Sequence, residues 1–124
     1  MAIYTNLPVY KASYALLLSV ATLLPHLPKD CRYSLGQDMR RKIMDIIILI
    51  YRANRIRNKV PVIQTMRETL LEVQVYIRLL CDMKYISIRC YAELAERTTD
   101  MSKQMTAWAK SEIEKQSDGP QSRQ

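Results

Sequence analysis

Apolar residues recur along this chain at steps of three and four, the spacing that lays one stripe down one side of an α-helix. In the first stretch the repeat is Tyr10, Tyr14, Leu17, Ala21 and Leu24, with Asn6 placed to cap, Pro8 in the first turn, and Pro25 and Pro28 closing the helix. Ser34 followed three residues later by Gln37 is a capping-box pattern, and it predicts that a second helix starts there. The stripe of that helix is Leu35, Met39, Ile43, Ile46, Ile50 and Ala53. A third stripe, Ile63, Met66, Leu70, Val73, Ile77 and Leu80, alternates steps of three and four over almost three heptads. Ser87 is placed to cap a fourth helix, with Ile86 and Tyr91 as a hydrophobic staple and the seam Tyr91, Leu94, Thr98, Met101, Met105 and Trp108. The pattern predicts helices over residues 7–25, 34–58, 61–84 and 88–116, and a polar, disordered tail over 117–124. Four helices of similar reach joined by short connections predict an all-α fold, an antiparallel up-down-up-down four-helix bundle.

Composition narrows this picture without changing it. A chain of 124 residues with 48% apolar content is one domain able to bury its own core, and two glycines leave few places to turn. Three cysteines without a CxxC spacing fit a reducing cytoplasm, and they read as small buried hydrophobes. The apolar run over residues 12–24 contains Ser13, Ser19 and Thr22 and falls short of the ~20 residues a bilayer needs. It also lacks a basic flank and a cleavage pattern, so the expectation is a core helix of a cytoplasmic protein with no membrane partner.

Charge does change the picture. Residues 40–59 contain Arg40, Arg41, Lys42, Arg52, Arg55, Arg57 and Lys59 against the single acid Asp45, an excess of six in a chain whose net charge is +7. Within the second helix Arg41, Arg52, Arg55 and Lys59 fall opposite the core stripe, taking about 100° per residue. A cationic face carried by a rigid helix is the usual footprint of a polyanion-binding surface. Its positions imply phosphate contact and carry no sequence readout. Met44, Ile48 and Tyr51 lie in or beside the same face, so the segment IMDIIILIY is apolar nearly all round. One internal core would not consume that surface, and a subunit contact would.

Catalytic and metal chemistry find little support. His26, the only histidine, sits in a loop between two prolines, so no helix-borne base can activate a hydroxyl or thiol and no di-iron ligand set can form. Glu68 and Glu72 stand one turn apart, which is ordinary for a solvated pair contacting Arg67 or Arg78. Tyr10, Tyr14, Tyr91 and Trp108 could stack on bases, but their seam positions favour the core. The expectation is a non-enzymatic protein with no cofactor, no metal and no small-molecule substrate.

Three segments carry a family resemblance: LPVYKASYALLL, KDCRYSLGQDMRRKIMDIIILIYRAN and LLEVQVYIRLLCDMKYIS. Over residues 7 to about 112 the chain resembles the four-helix-bundle family that includes accessory variability determinant proteins of diversity-generating retroelements and proteins encoded in intervening sequences of bacterial 23S ribosomal RNA genes. YSLGQDMRR and the KYIS turn are the most specific parts. The resemblance implies a homopentamer whose basic surface binds nucleic acid and a reverse transcriptase, with no catalytic site of its own. Carried to this chain, the nucleic-acid surface is Arg40, Arg41, Arg52, Arg55 and Lys59, and the subunit contacts are Met44, Ile48 and Tyr51. Intervening-sequence relatives share the fold without a reverse transcriptase, and a pure protein-interaction scaffold is a further alternative.

Overall fold

The structure, a computed structural model, describes residues 3–117. Within them every regular element is helical and no strand occurs, as the periodicity requires. After a 3-10 turn at Tyr4–Asn6, helix α1 spans Pro8–Leu23 and ends in a second 3-10 turn, Leu24–His26. Helix α2 occupies residues 29–55, α-helical at Lys29–Cys31, π-helical at Arg32–Gly36 and α-helical again at Gln37–Arg55. Helices α3, Val60–Asp82, and α4, Ile88–Ser117, follow. Helix α1 packs on α2 and α4, α2 on α3, and α3 on α4. The predicted tail lies outside the described residues except for Ser117, which is helical.

The third stripe falls where expected: Ile63, Met66, Leu70, Val73, Ile77 and Leu80 are all buried in one core with Met39, Ile43, Ile46, Ile50 and Ala53 of α2. Ser87 caps α4, its Oγ accepting from the Cys90 amide at 3.0 Å. Ile86 is buried and Tyr91 half-buried against the core. On α4 the buried stripe continues to Ala109 and Glu112, and Trp108 stays half-buried at its edge.

The first helix buries a different stripe from the expected one. Val9, Ser13, Leu16, Val20 and Leu24 face the core, whereas Tyr14 is 49% exposed, Ala21 is exposed, and Tyr10 and Leu17 are only half-buried. The stripe was misplaced because Ser13 reads as polar. Its hydroxyl donates to Val9 O at 2.7 Å, which satisfies the one polar atom and leaves a small, well-packed side chain. Asn6 does not cap α1 either: it ends the 3-10 turn, and Leu7 takes the N-cap position without a side-chain bond.

Ser34 and Gln37 form no capping box. Helix α2 begins over a turn earlier, after Pro28, whose carbonyl receives the Arg32 amide at 2.8 Å. Ser34 is inside the helix and donates its hydroxyl back to Asp30 O at 2.6 Å. The Gln37 amide reaches Arg32 O, five residues back, so the π turn holds one extra residue. That residue shifts the stripe: Cys31 and Gly36, five apart, face inward, and Leu35 is left half-buried. Gly36 leaves room for the Leu24 side chain, whose Cδ2 would stand 2.5 Å from a Cβ placed there. Ser34→Ala is therefore expected to change stability by less than about 0.5 kcal/mol, against ~1 kcal/mol for loss of a true N-cap. Urea unfolding of the two proteins checks this.

Candidate nucleic-acid interface

Helix α2 turns its core stripe toward α3 and α1 and its other side to solvent. Arg40, Arg41, Arg52 and Arg55 are all exposed on it. Among the described residues the ion pairs are Lys42–Glu72, Arg78–Asp82, Arg89–Glu93 and Lys115–Glu112, so no carboxylate pairs with any of those four arginines. Lys42 belongs elsewhere. Its Nζ lies 2.7 Å from Glu72 of α3, and the Glu72 carboxylate, by hydrogen bond first and charge second, holds the lysine above its ordinary range. That contact also places Glu72 in a bridge to α2, not with Arg67 or Arg78. Arg67 bonds Gln64, and Arg78 bonds Asp82.

Lys59 does not join the basic face. Helix α2 ends at Arg55, three residues before the expected end, where Ile56 turns extended. Lys59 folds back beneath it and donates to Ala53 O at 2.8 Å and Ile56 O at 2.6 Å, with Asn54 O at 3.4 Å. A helix C-terminus exposes unpaired carbonyls and negative partial charge, so a half-buried ammonium is held there. Lys59→Met should cost about 1 kcal/mol in unfolding free energy. Nucleic-acid affinity should stay within about twofold, because Lys59 lies off the basic face.

Apolar and aromatic groups flank the arginines. Ile48 is 49% exposed, and Met44, Tyr51, Tyr14 and Leu18 are exposed as well. Tyr51 meets Tyr4 edge to face with centroids 5.1 Å apart, Tyr4 meets Tyr10 at 5.3 Å, and Tyr10 stacks on Tyr14 at 6.1 Å. The Arg55 guanidinium lies 5.3 Å from the centroid of the Tyr51 ring, and its Nη1 donates to the Tyr51 hydroxyl at 3.1 Å. This aromatic run fixes the orientation. Tyr51 and Met44 lie toward α1, while Arg41 and Arg52, turned about 100° per residue, lie toward α3. The outer side of α2 thus carries Arg41 and Arg52 along its α3 edge, while Arg55 lies on Tyr51 and Arg40 lies beside the end of α1, on the apolar edge.

Other sites are sparse. Among the described residues no three His, Cys, Asp or Glu side chains come together, and no helix is long and apolar enough to cross a membrane. The cysteines are free; burial pushes the Cys31 thiol up and favours its protonated form. No protein-family model matches this chain, and no characterised protein matches it either.

Proposed function

We propose that this chain is a non-enzymatic, nucleic-acid-binding accessory protein resembling the accessory variability determinant partner of a retroelement reverse transcriptase. The observation that carries the reading is the exposed outer side of α2, where Arg40, Arg41, Arg52 and Arg55 have no carboxylate partner among the described residues. Four guanidinium groups along one helix suit the regular charge of a phosphate backbone, and unpaired arginines have no ion pair to give up on binding. The neighbour pairs α1–α2, α2–α3, α3–α4 and α4–α1 support an up-down-up-down four-helix bundle as the scaffold.

The apolar edge supports self-association. Met44, Ile48 and Tyr51 continue onto Tyr14 and Leu18 of α1, a surface that leaves large side chains in water in a single copy. Joining copies through that edge repeats Arg41 and Arg52 around an oligomer, in the resemblance a pentamer, and strengthens the field felt by a polyanion. Ile48→Glu is expected to shift the purified protein toward the 14.5 kDa single chain in light scattering at micromolar concentration. A wild-type protein already at that mass would remove the self-association reading.

A second reading is a scaffold that holds an acidic protein on the same arginines. Affinity capture before and after nuclease treatment separates the two. Nucleic acid recovered with the chain, and partners lost on digestion, support the first; a partner retained after digestion, with no binding to RNA or DNA by the purified chain, supports the second. The ribosomal-RNA intervening-sequence setting shares the basic face and differs in genomic position.

A further inference from the structure

The π turn of α2 builds a cleft of about 220 Å³ beside the end of α1, bordered by Ala21 and Pro25 on one side and by Arg32, Tyr33, Gln37 and Arg40 on the other. Tyr33, Gln37 and Arg40 follow the i, i+4, i+7 rule of one helix face. Arg32, five residues before Gln37, joins them because one π turn separates the two. The arginine is held in place: Nη2 donates to Pro25 O at 3.0 Å and Leu27 O at 3.2 Å, and its guanidinium stands 5.8 Å from the centroid of the Tyr33 ring. Its Nε is buried and meets no acceptor. The arginine borders a cleft that no carboxylate lines. The Tyr33 ring is 61% exposed at the rim, and Arg40 is exposed with no ion-pair partner among the described residues.

The geometry points to a binding site for one nucleotide of a single strand, its phosphate held between the Arg32 and Arg40 guanidinium groups and its base laid on Tyr33. Two guanidinium groups facing one phosphate form a charge-assisted clamp. An exposed ring at the rim takes any base by its face, which suits a strand bound without sequence readout. This rests on the reading of α2 as a nucleic-acid face and gives that face a defined end.

The probe is adenosine 5′-monophosphate, titrated into the purified, isotope-labelled full chain with amide shifts read by NMR, alongside adenosine and inorganic phosphate. Saturable shifts are expected at Arg32, Tyr33 and Gln37, with adenosine and phosphate each about tenfold weaker than the nucleotide. Tyr33→Ala, at an exposed ring, should weaken the nucleotide about tenfold and leave phosphate unchanged. Arg32→Lys leaves an ammonium for the two carbonyls but removes the rest of the guanidinium, and should weaken both; Arg40→Gln, at an exposed position, does the same without risk to the fold. A short oligoadenylate should displace the nucleotide. Absent shifts at these residues, phosphate as tight as nucleotide, indifference to Tyr33→Ala or Arg40→Gln, or no displacement by the strand would each overturn the assignment. Arg40 and Arg52 are about 18 Å apart along the helix, beyond the reach of one nucleotide. Failure here therefore says nothing against strand binding at Arg52 and Arg55, which is measured separately.

Discussion

Replacing Arg52 and Arg55 together by glutamate is expected to weaken binding of single-stranded RNA or DNA by about 100-fold at low salt and to reduce the salt slope by about two phosphate contacts. Both side chains are exposed, and among the described residues neither holds a carboxylate. Unfolding free energy should therefore move by no more than about 0.5 kcal/mol, the ordinary range for surface changes. Fluorescence anisotropy across a salt series, paired with urea unfolding, reads both quantities. Arg55 also covers the Tyr51 ring, so an Arg52→Glu single variant separates charge from that local contact. Equal affinity in wild type and the double variant would remove α2 as the binding face.

Leu16→Ala costs about 2–5 kcal/mol of stability, and Leu17→Ala substantially less, although the two residues are neighbours of the same type. Leu16 is fully buried between helices, while Leu17 is half-buried at the margin of the core. Truncating the first leaves a cavity that packed neighbours cannot fill. Solvent and mobile side chains relax into the space left by the second. Denaturant midpoints of the two variants decide between the stripe the structure buries and the stripe the spacing suggested.

That comparison shows where the sequence was legible. In α3 the six core residues are all large and apolar, nothing on the opposite face competes with them except Leu71, Val75 and Leu79, and the alternating step leaves one register. Helix α1 offers apolar side chains almost all round, so hydropathy alone could not choose. The decision fell to Ser13, whose hydroxyl is satisfied inside its own helix. The start of α2 was hidden for a related reason. Ser34 and Gln37 carry a cap pattern, but the chain after Pro28 already has the geometry to begin a helix, and the π turn absorbs the resulting change in register.

The basic face was partly legible. The positions of Arg41, Arg52 and Arg55 follow from 100° per residue as long as the helix persists, and it persists to Arg55. Lys59 lies past that end, where the competition is between solvation in water and three backbone carbonyls close by; the carbonyls win. The aromatic run of Tyr51, Tyr4, Tyr10 and Tyr14 had a visible signal, tyrosines spaced by four in α1, but assigning them to the core concealed it. Arg32 gave no signal at all. Its role at the cleft depends on the π turn, which no pattern of residue types announced.

The proposal that the outer side of α2 holds a phosphate backbone is tested most directly by one titration. Purified wild-type chain is titrated with a fluorescent single-stranded RNA at several salt concentrations, after removal of copurifying nucleic acid. Binding at low salt, with log K falling linearly in log salt by a slope of about three or more, is the predicted result for several arginine–phosphate contacts. A flat salt response, or no binding at low salt, contradicts it.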